Sequence, residues 1–266
     1  MKENSLLITA KRAARIGGDI LLEKFGTLQQ DQIALKGKGD YVTELDNRSE
    51  QAIIQHIKKN YPDHTIYAEE SGRASGEMCC QWFIDPLDGT ANYVQGIPLF
   101  SVSVAFLEEG EIKIGVVYDP HREEMFWAEK GKGAFLNETR IHVSNKKQSE
   151  YAMLGTGFPW RIKPCLDDYL ASFRELFLLT SGIRRMGSAA LDLAYTACGR
   201  FDGFWEMKLK PYDIAAGVLL VQEAGGIVTD FGGGEEYMTS GNIVGASPFI
   251  HPQIVSVTKK YLNQVK

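Results

Sequence analysis

Two kinds of pattern divide the chain, and the change between them limits its fold more than any other feature. Before Val143, the runs 99-LFSVSVAFLE-108, 112-IKIGVVYD-119, 125-MFWAEK-130 and 134–143 follow one another through turns such as Glu109-Gly110. The first run alternates with period two, so the segment reads as a meander of strands. After Val143, strands near 152–156, 183–186, 201–206, 226–230 and 242–246 alternate with helices near 166–179, 188–198, 211–224 and 249–263. Upstream, Leu6, Ala10, Ala13, Ala14, Gly17, Leu21 and Phe25 share one face of a helix over 6–25. Leu45, Ala52, Ile53 and Ile57 do the same over 43–59, and Asn60-Tyr61-Pro62 stops that helix. Short strands follow at 65–68 and 81–84. The stretch 27–42 is polar and contains glycine, and its piece 36-KGKGD-40 reads as a mobile loop. Interleaved helical and strand segments predict a layered α/β sandwich, one domain over 1–266 with sub-halves near 1–145 and 146–266.

Composition narrows the function. The 266 residues are 44% hydrophobic and 24% charged, ordinary for a globular protein with a large core. A net charge of −5 lacks the basic bias of nucleic-acid binders. No apolar stretch approaches the ~18 residues of a membrane span, and the apolar patch near the N-terminus is too short for a signal peptide. Cys79, Cys80, Cys165 and Cys198 form no C-x-x-C, so neither a disulfide framework nor a zinc ribbon is indicated, and the thiols read as reduced and cytoplasmic. The five histidines are scattered. Any metal here is therefore a hard one held by oxygen.

Acidic residues end several apolar elements. In 82-WFIDPLDGTANY-93, an apolar run leads into Asp85 and Asp88, with Pro86 between them and Gly89 to permit a tight turn. The run 66-IYAEES-71 ends on Glu69 and Glu70, and 211-PYDIAAGVLLVQEAGG-226 puts Asp213 in the first turn of an apolar helix. Singly, each has a plainer reading. Asp favours turns, a first-turn acid complements the helix dipole, and Thr43-Glu44-Leu45-Asp46 matches a capping box. Together they suggest one site, and converging carboxylates call for a cation, Mg²⁺ by donor type. A calcium-binding EF loop from Asp85 fails, because its third and twelfth positions are Leu87 and Gly96. The nucleophile of a D-x-D-G-T phosphatase is missing too, since Pro86 stands two residues before Asp88.

The chain resembles the inositol monophosphatase family of lithium-sensitive, magnesium-dependent phosphatases, and bacterial members most. The resemblance rests on 40-DYVTELD-46, 68-AEES-71, 85-DPLDGT-90, 155-GTGFPWR-161, 185-RMGSAALDLAYTACGRFDGFWE-206 and 212-YDIAAG-217. Ala68 replaces the family's Gly and Tyr212 its usual Trp. The resemblance implies a five-layer αβαβα sandwich, usually dimeric, that binds two to three Mg²⁺. It implies one ion on Glu69, Asp85 and the Leu87 carbonyl, a second on Asp85, Asp88 and Asp213, and a third near Glu69. Thr90, paired with Asp46, and Glu69 would orient the attacking water. Gly89 and Thr90 N–H groups would cradle phosphate. Gly187, Ser188, Ala189 and Glu206 would contact the alcohol, with Lys36 approaching from its loop.

These expectations make the chain a phosphatase of inositol 1-phosphate and similar polyol monophosphates. Fructose 1,6-bisphosphatase, histidinol phosphatase or nucleotide 3′-phosphatase activity is the alternative on the same scaffold. An added regulatory or binding role is a further one, because a fold does not dictate function. Arg161, Arg184, Arg185 and Lys210 read as surface or subunit-contact residues, or as ligands of a second phosphate.

Overall fold

The computed structural model describes residues 4–28, 33–37, 40–74, 76–158 and 163–262. The elements in chain order begin with α1 (Ser5–Leu22), β1 (Ile33–Gly37), β2 (Asp40–Thr43), α2 (Glu44–Asn60), β3 (His64–Ala68), β4 (Gly72–Ala74), β5 (Glu77–Asp88) and α3 (Thr90–Val94). A meander follows: β6 (Ser101–Glu108), β7 (Glu111–Asp119), β8 (Glu124–Glu129), β9 (Gly133–Leu136) and β10 (Thr139–Ile141). The rest is β11 (Met153–Thr156), α4 (Leu166–Leu179), β12 (Gly182–Arg184), α5 (Ala189–Ala197), β13 (Gly203–Glu206), α6 (Pro211–Glu223), β14 (Ile227–Thr229), α7 (Tyr237–Ser240), β15 (Ile243–Ala246) and α8 (His251–Leu262).

Three apolar cores define the layers. In the first, Leu7, Ala14, Ile53 and Ile57 of α1 and α2 pack on Ile66, Trp82 and Val104, one face of an eight-stranded sheet of order β10-β9-β8-β7-β6-β5-β3-β4. In the second, Phe83, Ala105 and Val117 on the opposite face meet Leu191 and Leu193 of α5, and Ile214 and Leu220 of α6. Phe204 and Ile243 of a five-stranded sheet, order β12-β11-β13-β15-β14, close that core from beyond. In the third, Leu154, Trp205 and Val244 on the sheet's outer face hold Tyr169 and Leu176 of α4, and Ile254 and Leu262 of α8. The layers run αβαβα, as expected. Each large aliphatic or aromatic side chain so covered contributes about 1.5–3 kcal/mol, and truncating one such as Phe106 to alanine costs about 3–5 kcal/mol.

Three readings change with the structure. The alternation of 99–108 suggests a strand with one covered face, yet Ser101–Leu107 are all buried. Val102, Val104 and Phe106 face the α1/α2 core, whereas Ser101 and Ser103 face α5 and α6, where Ser103 Oγ donates to the Tyr212 carbonyl at 3.2 Å. The polar residues line a second packed layer, not solvent. The stretch expected as a mobile loop, 36–40, begins in β1 and ends in β2, an antiparallel pair in register Ile33↔Thr43 and Leu35↔Tyr41, with residues 38–39 outside the described ones. The run 134–143 breaks into β9 and β10 at Asn137, whose φ of 51° turns the chain.

The strand read at 81–84 continues to Asp88 and is bulged. Asp85 pairs with Ser103 and Asp88 with Ser101, so two β5 residues stand between those pairs and one β6 residue does. Residues three apart in a regular strand point to opposite faces. The extra residue of the bulge restores parity, so Asp85 and Asp88 point the same way. Pro86, which has no N–H to leave unpaired, occupies the irregular stretch.

Candidate active site

A cavity of about 160 Å³ opens where these strand and helix ends meet, and Glu69, Asp85, Leu87, Asp88, Gly89, Thr90, Gly187, Ala189, Glu206 and Asp213 all line it. Glu69 follows β3, and Asp85 and Asp88 come from the bulged end of β5. Glu206 ends β13, and Asp213 is the third residue of α6. A larger groove of about 840 Å³ beside α1 mixes Lys11, Arg12 and Arg15 with Glu123, Glu129 and Glu138, so no single charge type converges there.

The acids of the cavity meet backbone donors, hydroxyls and one another. Asp85 Oδ1 accepts the Leu87 N–H at 3.0 Å, and the Asp85 carboxyl also hydrogen-bonds to that of Glu69. Burial pushes Asp85 well above the usual carboxylate range, and the charges of Glu69, Asp88 and Asp213 push the same way. Burial likewise raises Asp88, against the pull of its donors Ser188 Oγ (2.6 Å) and Ala190 N–H (2.7 Å). Asp213 Oδ2 takes the Lys210 N–H at 2.7 Å, so this acid does cap its helix while facing the cavity. Among the described residues, no group of three or more acid, histidine or cysteine side chains already stands close enough together to hold a metal ion. The carboxyls converge on a cavity, not on a finished cage. An oxygen-only, acidic donor set of this kind fits a hard divalent cation such as Mg²⁺.

Asp46 combines both readings of its segment. Its Oδ2 takes the Thr43 N–H at 2.9 Å and the Thr43 hydroxyl at 2.6 Å, closing a capping box on α2. Its Oδ1 lies 3.5 Å from Thr90 Oγ1, which is also 3.0 Å from the Leu87 carbonyl. Asp46 is buried, reaches the cavity only through Thr90, and is raised by that burial to about 6. Gly89 has a φ of 94°, and a Cβ there would stand 2.9 Å from the Leu99 carbonyl, so only glycine fits the turn into α3.

Ser188 does not line the cavity. It is buried, caps α5 through the Leu191 N–H, and braces Asp88. The Lys36 side chain lies outside the described residues, as does Arg161. Arg185 lines the cavity. Tyr212 packs edge-on against Tyr67 at 5.5 Å. Sequence reasoning missed Asn92, whose amide donates to the Leu99 and Met186 carbonyls at 2.8 Å each and joins the two loops beside the site. It also missed Glu50, an acid within the apolar stripe of α2 that runs on through Ile53 and Ile57, a placement visible in the periodicity.

Comparison with known proteins agrees across the chain. The sequence model of the inositol monophosphatase family matches residues 2–263. Nus factor SuhB of Pasteurella multocida is 48% identical over 254 residues, 95% of each chain. The crystal structure of extragenic suppressor protein suhB from Bartonella henselae superposes with a TM-score of 0.93 at 41% identity, over 97% of this chain and 99% of that one. A Thermotoga maritima IMPase gives a TM-score of 0.89 at 37% identity, over 99% and 100%.

Proposed function

The chain belongs to the inositol monophosphatase family, whose members are generally metal-dependent phosphatases, and on that premise we propose that it hydrolyses inositol 1-phosphate and related polyol monophosphates with Mg²⁺. The convergence of Glu69, Asp85, Asp88 and Asp213 on one cavity carries the reading. Glu69, Asp85 and the Leu87 carbonyl would hold one ion, Asp85, Asp88 and Asp213 a second, and Glu69 a third. Bound there, Mg²⁺ supplies charge stabilisation at phosphorus and lowers the pKa of water.

The protein's own groups do the positioning. Glu69 and Thr90, with Asp46 behind it, orient the attacking water. The N–H groups of Gly89 and Thr90, at the start of α3, receive the phosphate. Gly187, Ala189 and Glu206 face the alcohol, and Ser188 acts through Asp88. Phosphate release should be measured on inositol 1-phosphate, fructose 1,6-bisphosphate, histidinol phosphate and adenosine 3′,5′-bisphosphate, with and without Mg²⁺ and Li⁺. Mg²⁺-dependent release, fastest from inositol 1-phosphate and suppressed by Li⁺, is expected. Faster release from a bisphosphate or from histidinol phosphate moves the assignment to that substrate, and no release from any overturns it.

Two partner readings accompany the chemistry. The outer face of α4 exposes Leu166, Leu170 and Phe177, with Leu178 69% exposed. An apolar patch of this kind marks an interface, and we assign it to a homodimer, which sedimentation of the wild type and Phe177→Asp tests. The name Nus factor SuhB borne by relatives favours a second role, binding to the transcription machinery. Capture of a stoichiometric transcription factor by an Asp88→Asn protein, with catalysis removed, supports that role.

A further inference from the structure

Helix α2 presents three polar side chains to the interior: Asp46, Ser49 and Glu50 are 0%, 0% and 2% exposed. Their spacing of three and four places them on one helix face. That face continues into Ile53 and Ile57, both fully buried, so this is the inward side of the helix. Each polar member reaches a different edge of the acidic cavity. Asp46 meets Thr90. Ser49 Oγ donates to the Pro86 carbonyl at 3.3 Å, inside the bulge that sets Asp85 and Asp88. Glu50 takes two backbone N–H groups, that of Glu70 on Oε2 at 2.7 Å and that of Ser71 on Oε1 at 2.9 Å.

Burying a carboxylate is costly unless its oxygens are served. Here two charge-assisted bonds serve both. They also hold the two peptide units that follow Glu69, while the Glu69 N–H is held from the other side by the Ile84 carbonyl at 3.1 Å. With its backbone pinned on both flanks, Glu69 has one direction in which to leave the chain.

We propose that Glu50 is a positioning residue for Glu69, so that the cavity's affinity for Mg²⁺ depends on a side chain that does not line it. The proposal rests on the function given above. It treats the inward face of α2 as one scaffold that sets the water-orienting pair, the bulge and the Glu69 turn together.

The test uses the full chain, stripped of metal. Mg²⁺ binding is measured by titration calorimetry, kcat and the Mg²⁺ activation constant by phosphate release, and amide exchange at residues 70 and 71 by NMR. Glu50→Ala should weaken Mg²⁺ binding ~10- to 100-fold, the usual cost of losing a group that orients a metal ligand. Its kcat should recover at saturating Mg²⁺, and the two amides should lose protection. Glu50→Gln keeps one acceptor oxygen and should fall between; it also carries the test if the alanine variant does not fold. Ile53→Ala, one turn along the same face, should lower the melting temperature and leave Mg²⁺ affinity unchanged. If the wild type binds Mg²⁺ and neither Glu50 variant binds it more weakly, the proposal is overturned alone. A loss of Mg²⁺ affinity in Ile53→Ala as large as in Glu50→Ala overturns it as well, by reducing the effect to general loosening. A wild type that binds no Mg²⁺ overturns the proposed function and this inference together.

Discussion

Carboxylates meet backbone amides in two regions of this molecule, with different outcomes. Far from the cavity, Glu223 at the end of α6 takes the N–H groups of Gly131 and Gly133 at 2.8 and 2.7 Å and clasps the turn between β8 and β9. Asp230 likewise takes the N–H groups of Gly232 and Gly234 at 2.8 Å each. In the cavity, the Asp85 oxygens meet one N–H group and another carboxyl, that of Glu69, and burial raises Asp85 and Asp88. The residue type is the same. An acid whose oxygens are filled by amides fastens a loop. An acid set beside other acids, away from water, holds a proton or calls for a cation.

Substitutions should separate the two regions. The largest effect is expected at Asp88, where Asp88→Asn should slow Mg²⁺-dependent phosphate release at least ~10²-fold, since a metal site supplies several kcal/mol of charge stabilisation. Turnover like that of the wild type would place Asp88 with the structural acids. Next is Asp213. Excess Mg²⁺ at a hundredfold over its dissociation constant should stabilise the wild type by about 2.7 kcal/mol, and in Asp213→Asn that increment should shrink or vanish. Asparagine can still accept the Lys210 N–H and removes one repelling charge. The variant should therefore melt no lower than wild type in EDTA, and a parallel drop in both buffers would reduce Asp213 to a helix cap.

The third effect is on pH. Burial raises Asp46 from 3.8 to about 6, and raises Asp85 and Asp88 in the same direction. The metal-free fold thus keeps protons that the unfolded chain has released. For Asp46 stability falls as pH rises from about 4 through 6, by up to roughly 1.4 kcal/mol per pH unit, and the raised Asp85 and Asp88 act in the same direction. Bound as proposed, Mg²⁺ would compete with those protons at Asp85 and Asp88, so the Mg²⁺-induced rise in melting temperature should grow as pH rises. A pH-independent increment would show that the acids do not act as a set. The smallest effect belongs to the clasp. Glu223→Ala should cost ~1 kcal/mol, the net worth of ordinary hydrogen bonds open to water, equally in EDTA and in Mg²⁺. A change in the Mg²⁺ increment would dissolve the distinction between the regions.

Local signals determined much of this protein. Apolar periodicity placed α4 at 166–179, and α2 and α6 within about two residues, because a helix that buries one face must repeat it. The runs 68-AEES-71, 85-DPLDGT-90 and 212-YDIAAG-217 pointed to the acids that line the cavity. Tertiary structure decided what covers each face and what each polar group meets. The alternation in β6 marked two unlike faces, but only the packing of α5 and α6 showed that the polar one is buried. Asp85 and Asp88, three apart, would diverge in a regular strand, and pairing with β6 is what supplies the bulge that aligns them. Periodicity puts Glu50 within the apolar stripe of α2, but only the turn after β3, twenty residues on, supplies the two N–H groups that it meets. Periodicity reports the polarity of a face. Which donors reach a buried carboxylate depends on chain segments distant in sequence, which only the folded layers bring together.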